Sequence, residues 1–195
     1  MVAIKYKTVA GKGGPEHGEL VSDSELEIIR QMNNATVPAC NELTMTMLKG
    51  ILDEAFVFQV AVEEGSDEIV GFIIAFTSGK AYTSPNYQFF QKKYGQGGFV
   101  YVDRIVVGPK FHRKGVGRTL YARVVELSAA MLSAAGFDPQ KMSLCCEVNL
   151  QPPNPESVEF HAKLGFDSVG VQETEGGAKQ VTLLVRAFNM ERLCQ

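Results

Sequence analysis

The chain has 195 residues, which is the size of one ordinary domain. Hydrophobic residues make up 45% of it and charged residues 21%, so the composition argues against a disordered or fibrous protein. The net charge of −3 argues against a nucleic-acid partner and against binding to an anionic membrane surface. No apolar run approaches the roughly 20 residues that span a bilayer, so we expect no membrane partner.

The N-terminus and the cysteines indicate a cellular compartment. Residues 1–7 contain two lysines but neither an apolar core nor a small-residue cleavage site, so no signal peptide is predicted. The four cysteines stand at positions 40, 145, 146 and 194. Adjacent cysteines rarely pair, and a strand would point Cys145 and Cys146 to opposite faces of a sheet. We therefore expect four reduced thiols in a cytoplasmic protein.

Residues 4–77 predict one strand, two helices and a strand hairpin. The sequence Ser-Asp-Ser-Glu at 22–25 is typical of a helix N-terminus. The predicted elements are an edge strand at 4–9, a loop at 11–15, helices at 22–34 and 43–54, and strands at 56–62 and 69–77. The last of these strands is almost wholly apolar, which indicates burial on both faces.

The segment 78–98 has no clear hydrophobic period. It contains three tyrosines, two adjacent phenylalanines and four glycines. One interpretation is a long surface insertion, and the other is a lid or wall over a pocket. Its aromatic content favours the second.

Residues 99–188 combine four strands with two helices. The helix at 118–135 is the clearest, because its apolar residues form two adjacent rows and Gly136 ends it. Asn154 and Pro155 suit the N-cap and first position of a short helix that ends at Gly165. The strands are predicted at 99–107, 142–148, 166–171 and 179–188. The element order β-α-α-β-β-β-α-β-α-β-β predicts one α/β domain over residues 1–195, with a mixed, mostly antiparallel sheet.

Charge is unevenly distributed along the chain. Residues 105–123 contain five basic residues and no acidic one, which leaves 14 basic (19 − 5) and 22 acidic residues elsewhere. One basic region on an otherwise acidic protein is typical of a site for a compact, multiply charged anion. The alternative is the solvated start of a helix.

The loop at 108–118 joins a predicted strand to the clearest helix. The first turn of a helix leaves its N–H groups unpaired and carries partial positive charge. Gly115 and Gly117 let the backbone approach an anion, with Arg113 and Lys114 beside it, so the loop predicts a pyrophosphate site. The loop lacks the Gly-Lys-Ser/Thr end of a P-loop, and Leu120 replaces the third glycine of a dinucleotide fingerprint.

Two motifs carry a family resemblance. The sequence HRKGVG at 112–117 is similar to the coenzyme A loop Gln/Arg-x-x-Gly-x-Gly/Ala, with histidine in place of Gln or Arg. The second motif is the strand end CEVN at 146–149, followed by Asn154, a helix and LGF at 164–166. Over residues 99–188 the chain thus resembles the GNAT superfamily of N-acetyltransferases, in a branch of predicted acetyltransferases.

The resemblance implies a GNAT-like acyl-CoA N-acyltransferase fold and acetyl-CoA as co-substrate. No metal is expected, because the three histidines are dispersed and the adjacent Cys145 and Cys146 lack the spacing of zinc ligands. The strands at 100–107 and 142–148 would splay apart and admit the pantetheine arm. The implied cofactor-binding residues are Ile105, Val106, Val107, His112, Arg113, Lys114, Gly115, Val116, Gly117, Arg118, Thr119 and Asn154. For Asn154 the alternative is a plain helix cap.

Acetyl transfer to an amine requires the neutral amine, and an alkyl amine with a pKa of about 10.4 is almost fully protonated at neutral pH. A carboxylate is the usual acceptor of that proton. The resemblance places Asp103 and Glu147 on the strands beside the cleft, and strand alternation would put Asp103, Ile105 and Val107 on one face. The alternatives are a salt bridge of Asp103 with Arg104 or a loop lysine, and a pairing of Glu147 with Lys163 or Arg186.

The departing thiolate needs a proton donor, for which the superfamily often uses a tyrosine four residues before the glycine of LGF. That position is His161 here, whose ordinary pKa near neutrality suits the task. The alternative is a structural histidine inside a helix.

Two functions follow from the sequence. The first is an acetyl-CoA-dependent N-acetyltransferase that acts on a primary amine of a small molecule or peptide, and the second is a non-catalytic acyl-CoA-binding or sensor module. The resemblance implies that residues 32–43 and 78–98 shape the acceptor site. It also makes a homodimer an arrangement to test, because dimers are common in the superfamily.

Overall fold

The structure is a computed structural model that describes residues 3–9 and 21–193. The predicted loop at 11–15, His17 and Cys194 lie outside these described residues. Within them, the element order is β-α-α-β-β-α-β-α-β-α-β-β, which contains one helix more than predicted. No helix in this part of the chain is long and apolar enough to cross a membrane.

The strands and helices lie close to their predicted positions. The strands are β1 (Ile4–Thr8), β2 (Val57–Glu63), β3 (Ile69–Thr77), β4 (Phe99–Val107), β5 (Ser143–Gln151), β6 (Asp167–Thr174) and β7 (Lys179–Ala187). The α-helices are α1 (Asp23–Asn34), α2 (Met45–Glu54), α3 (Pro85–Tyr94), α4 (Val116–Ala134) and α5 (Pro155–Lys163).

Side-chain caps fix the helix starts. The Ser22 hydroxyl accepts from the Glu25 N–H and the Glu25 carboxylate accepts from the Ser22 N–H, a capping box that confirms the predicted start of α1. Asn154 caps α5 as predicted. Helix α2 begins two residues later than expected, because Thr44 caps it by accepting from the N–H of Met47.

The seven strands form one sheet in the order β1-β2-β3-β4-β5-β7-β6. Only the β4–β5 pair in this sheet is parallel, which confirms the mixed, mostly antiparallel architecture. Residues of α4 and α5 pack on one face, whereas α1, α2 and α3 cover the other. Cys145 and Cys146 are buried on opposite faces, as expected, and both are free thiols together with Cys40.

Strands β4 and β5 pair over a short distance and then part. The register joins Phe99 to Ser143, Val100 to Leu144 and Tyr101 to Cys145. Beyond these pairs β4 continues to residue 107, while β5 continues to residue 151 and pairs with β7 instead. The predicted splay is therefore confirmed, and it leaves one edge of residues 102–107 facing an opening in the sheet.

Segment 78–98 contains helix α3, which the sequence analysis did not predict. Ser84 caps the helix, Pro85 takes its first position, and Tyr87 and Phe90 are fully buried. Their rings contact Phe99 in the core. The five aromatic side chains of this segment therefore pack on the core, two of them fully buried and three partly, and they form a wall of the interior and not a lid.

The burial of α3 generates a stability prediction. Phe90→Ala removes a ring that is 0% exposed, so we expect the free energy of unfolding to fall by about 3–5 kcal/mol. The exposed Lys92→Ala variant on the same helix should change it by less than about 0.5 kcal/mol. Urea unfolding of both variants measures the difference. Equal stability of the two variants would show that α3 lies on the surface as a lid.

Candidate active site

The opening between β4 and β5 brings two acidic side chains near each other. At its closed end, the Tyr101 hydroxyl on β4 donates a hydrogen bond to Oε2 of Glu147 on β5, at 2.7 Å. The second acidic residue, Asp103, lies two residues further along β4. The structure thus places both predicted carboxylates beside the opening.

A β-bulge in β4 sets the direction of Asp103. In the pairing with β3, Ile74 is opposite Arg104 and Ala75 is opposite Val102, so Asp103 is an extra residue with no partner in the register. A bulge of this kind bends the strand and shifts the alternation of its side chains by one position.

The expected common face of Asp103, Ile105 and Val107 is therefore wrong. Ile105 and Val107 pack against the cluster that contains α4. Asp103 instead contacts Tyr82, which packs against the cluster on the opposite face of the sheet. The physical reason is the bulge, which no period-two pattern reveals.

Both carboxylate oxygens of Asp103 already have partners. The Tyr82 hydroxyl donates to Oδ1 at 2.5 Å, and Nε of Arg104 donates to Oδ2 at 2.6 Å. The Asp103 and Arg104 side chains are 6% and 8% exposed, so the ion pair is buried. The salt bridge considered as an alternative is thus present, and a catalytic role for Asp103 stays a prediction.

Glu147 has the properties of a proton acceptor near neutral pH. Burial raises the pKa of its carboxyl to about 7, the hydrogen bond from Tyr101 lowers it, and the charge of Asp103 raises it. The residue as a whole keeps partial contact with solvent. A carboxyl with this pKa exchanges protons most effectively at the pH of most cells.

Neither alternative partner contacts Glu147. Lys163 pairs with Glu159 at 2.6 Å on the surface of α5. Arg186 donates to the carbonyl oxygen of Leu164, also at 2.6 Å. The pairing of Glu147 with either cation is therefore wrong, because both cations are held elsewhere.

The start of α4 has the form of an anion site. Gly115 is the N-cap with φ 83°, and among the described residues no side chain caps the helix. Arg113 also has a positive φ of 60°, which is uncommon for a residue with a side chain. The first-turn N–H groups of α4 are therefore left for a ligand, with His112, Arg113 and Lys114 exposed beside them.

Two contacts fix this loop against its surroundings. Nε2 of His112 lies 2.8 Å from the carbonyl oxygen of Val107, so the imidazole donates to the end of β4. A Cβ on Gly117 would lie 3.0 Å from the ring of Phe160 on α5. Close packing of the two helices thus requires a residue without a side chain at position 117.

His161 is enclosed between α4 and α5. It is 2% exposed, with Nδ1 2.7 Å from the Ser157 carbonyl oxygen and Nε2 2.7 Å from the Tyr121 hydroxyl. Because a carbonyl only accepts, Nδ1 carries the proton and Tyr121 donates to Nε2. Burial lowers the pKa of His161 to about 4, so the ring is neutral at pH 7. Its role as proton donor stays a prediction.

Asn154 serves as a helix cap. Its side-chain oxygen accepts from the N–H of Ser157 at 3.3 Å. The alternative role of Asn154 as a plain helix cap is therefore present in the structure. A contact with the pantetheine arm stays a prediction.

The structure adds residues that the sequence analysis missed. Tyr82, Tyr101 and Arg104 surround the two carboxylates, as described above. Cys40, in the segment between α1 and α2, lies near them: burial raises the pKa of its thiol, and the charges of Arg104, Asp103 and Glu147 all influence it. Tyr101 and Arg104 have no sequence signal of their own, because each reaches the site through a long-range contact. Tyr82 and Cys40 lie in the segments 78–98 and 32–43, which the resemblance linked to the acceptor without singling out either residue.

An open pocket of about 360 Å³ lies next to Cys40. The segment between α1 and α2 forms one wall, and residues after β5 and around the β6–β7 turn form the other. The Asn149 amide ties this segment to β5 by donating to the Pro38 carbonyl oxygen at 2.9 Å. A role of the segment 32–43 in shaping the acceptor site stays a prediction.

The fold and the site together define a mixed α/β protein whose sheet opens between β4 and β5, with a helix start that no described side chain caps directly after β4. The family model described as "Acetyltransferase (GNAT) family" matches residues 26–166, which is most of the chain. The chain belongs to the GNAT acetyltransferase family. No curated protein sequence matches it.

Solved structures share the fold. Arabidopsis thaliana NAA60 in complex with acetyl-CoA has a TM-score of 0.66 at 16% identity, covering 95% of this chain and 99% of that chain. Ard1 from Thermoplasma volcanium has a TM-score of 0.63 at 17% identity, with coverages of 95% and 98%. The ribosomal-protein-S18-alanine N-acetyltransferase from Escherichia coli has a TM-score of 0.58 at 13% identity, with coverages of 97% and 96%. At these identities the likeness concerns the fold.

The pKa of Glu147 generates a prediction about stability. Its value is about 7 in the folded chain against an ordinary 4.5, so between these values the folded state binds more protons than the unfolded state. The free energy of unfolding must then fall as the pH rises through this window. Glu147→Gln cannot ionise there, so we expect wild type to lose about 1–2 kcal/mol relative to this variant between about pH 5 and pH 8.

Urea unfolding at the two pH values provides the measurement. Glu156→Gln, which removes an exposed glutamate at the start of α5, is the control and should follow wild type at both. A constant difference between wild type and Glu147→Gln would contradict the raised pKa.

Proposed function

We propose that this protein is an acetyl-CoA-dependent N-acetyltransferase that acetylates a primary amine of a small molecule or a peptide. The observation that carries the proposal is Glu147, whose carboxylate lies at the opening of the sheet with a hydrogen bond from Tyr101 at 2.7 Å and has a pKa that burial raises to about 7. The family membership and the acetyl-CoA complex of the similar NAA60 support it.

The residues of the loop suit coenzyme A. The uncapped N–H groups at the start of α4 and the exposed Arg113 and Lys114 would hold the pyrophosphate. The free edge of β4 at residues 105–107 would bind the pantetheine arm as an added strand does, through main-chain hydrogen bonds. When bound, acetyl-CoA supplies an acetyl thioester at the opening between β4 and β5.

Glu147 would act as general base. It accepts the proton that an ammonium acceptor must lose, either directly or through one water molecule. The neutral amine nitrogen then forms a bond to the thioester carbon, and the carbon–sulfur bond breaks. The nitrogen releases its second proton and the departing CoA thiolate takes up one proton, which leaves a neutral amide and a free thiol. Amine and acetyl-CoA are thereby converted into amide and free CoA, with all atoms accounted for.

Asp103 and His161 would have supporting roles. Asp103 is fully engaged by Tyr82 and Arg104, which favours Glu147 as the proton acceptor. We infer that the hydrogen-bonded pair of His161 and Tyr121 supplies the proton that the CoA thiolate takes up. The N–H of the neutral imidazole is engaged by the Ser157 carbonyl oxygen, so the imidazole does not act alone.

The cofactor assignment predicts a specific response to two matched glycine variants. Gly115 and Gly136 lie at opposite ends of α4, both have φ 83°, and neither has a neighbour within 4 Å of the position a Cβ would take. Valine strongly disfavours this φ, so both variants should distort their turns. We expect acetyl-CoA to bind wild type with a Kd on the order of micromolar, Gly115→Val at least about tenfold more weakly, and Gly136→Val as wild type does.

Calorimetric titration with acetyl-CoA measures these constants, with free CoA and ATP as comparison ligands. Circular dichroism checks that both variants are folded. No binding of acetyl-CoA to the folded wild type would reject the cofactor and the proposed function with it.

The base assignment predicts the kinetics of two carboxylate variants. Glu147→Gln should lower kcat/KM by about 10²–10⁴-fold and abolish the break near pH 7 in its pH profile. Asp103→Asn should lose less activity and keep a break, because it leaves Glu147 in place, but the break should move to lower pH because the charge of Asp103 no longer raises the pKa of Glu147. Thiol release from acetyl-CoA measures both profiles. The reverse pattern, with the break lost in Asp103→Asn only, would assign the base to Asp103.

A further inference from the structure

Arg104 is a buried arginine whose guanidinium is only partly used by the protein. Nε donates to Asp103 at 2.6 Å, and Nη1 donates to the side-chain oxygen of Asn33 at 2.9 Å. Among the described residues Nη2 has no hydrogen-bond partner. Nη2 does not belong to the side-chain atoms that are fully buried without a partner, so it keeps contact with the surface. Its two N–H groups therefore face space that a ligand or water can enter.

Arg104 lies between Asp103, which stands beside the opening, and Asn33, which belongs to the segment 32–43 that the family resemblance links to the acceptor. Cys40 is close enough to Arg104 for the guanidinium charge to lower the pKa of the thiol, against the larger raising effect of burial. The same Cys40 lines the open pocket between the α1–α2 segment and the β6–β7 turn. Arg104 also acts on Glu147 across the opening: burial raises the pKa of that carboxyl, and the guanidinium charge lowers it.

The protein holds Arg104 in one orientation. Asn33, which accepts from Nη1, is 0% exposed. Its amide nitrogen donates to the Asn41 carbonyl oxygen at 2.8 Å and to the Asn34 side-chain oxygen at 2.9 Å. The second anchor, Asp103, is itself held by Tyr82. The free edge of the guanidinium is thus presented by a rigid support.

We propose that Nη2 of Arg104 binds an oxygen next to the reacting amine, so that the acceptor is an α-aminoacyl group. This inference rests on the proposed function, because it names the acceptor class of the same site. In an α-aminoacyl group the amine nitrogen and the carbonyl or carboxylate oxygen are three bonds apart. The amine then donates its proton to Glu147 on β5, while the oxygen accepts a hydrogen bond from Arg104 on β4.

The class has two sources, the N-terminus of a peptide and a free amino acid. Both offer an oxygen at the same distance from the amine, as a carbonyl in the first and a carboxylate in the second. A simple alkyl amine, or the side-chain amine of a lysine, has no such oxygen. With such an acceptor the two N–H groups keep water as their partner and the charge-assisted hydrogen bond to a substrate oxygen is lost, which favours α-aminoacyl acceptors by about tenfold.

The test compares three acceptors that share one side chain. L-leucinamide represents a peptide N-terminus, L-leucine a free amino acid, and isopentylamine is the same amine without the carboxyl carbon. Thiol release gives kcat/KM for each, expressed per neutral amine so that differences in amine pKa cancel. We expect wild type to favour leucinamide or leucine over isopentylamine by at least about tenfold. The better of the two identifies the source.

Variants then assign the preference to Arg104. Arg104→Lys keeps the positive charge and can still reach Asp103, but it lacks the planar fork. We expect it to reduce the preference for the α-aminoacyl acceptor to within about threefold of isopentylamine. Arg123→Lys on α4, on the far face of the sheet, is the matched control and should keep the wild-type preference. An unchanged preference in Arg104→Lys, or none in wild type, overturns the proposal.

Binding to the complex with free CoA separates this inference from the proposed function. Leucinamide or leucine should bind that complex more tightly than isopentylamine, and Arg104→Lys should remove the difference, whether or not turnover occurs. Absence of acetylation together with this binding pattern would reject the enzyme and retain the acceptor site. Acetylation of all three acceptors at equal rates would reject the acceptor class and retain the enzyme.

Discussion

Backbone N–H and C=O groups inside a protein need partners, and β4 loses its partner on the β5 side after Tyr101. The sheet survives this loss because β5 takes β7 on its other edge and α4 spans both halves of the interior. The unpaired stretch of β4 can then be satisfied by water or by a ligand of extended shape. The free edge of β4 thus offers main-chain hydrogen bonds at the point where the sheet opens.

The bulge at Asp103 adds charge to this opening. A regular strand would send Asp103 and Arg104 to opposite faces, whereas the extra residue lets both reach the face that carries Tyr82. A buried ion pair is stable only when its remaining hydrogen-bonding groups find partners, and here Asn33 supplies one of them. Arg104 is paired with Asp103, and no described cation forms an ion pair with Glu147. Burial is therefore the largest influence on the pKa of Glu147.

Local sequence signals predicted the parts of the fold that depend on local chemistry. Ser22 and Asn154 marked helix starts because a cap acts within three residues, and the glycine-bearing loop before α4 was recognisable for the same reason. Helix α3 had a signal that the sequence analysis did not use: Ser84 and Pro85 precede Tyr87, Phe90 and Tyr94, at helical spacing. The bulge in β4, by contrast, is imposed by pairing with β3 and has no local marker. The residues that depend on it, above all Arg104 with its contact to Asn33 71 positions earlier, were accordingly missed.

An arginine that is free in solution has four flexible torsion angles, and fixing them costs about 2 kcal/mol of conformational entropy. Arg104 has already lost that freedom, because two anchors from separate elements hold its guanidinium plane. This entropy is lost when the chain folds, so it does not weaken the binding of a ligand afterwards. A molecule that meets this guanidinium therefore gains the hydrogen bonds without ordering the side chain, and it finds the same geometry on every encounter.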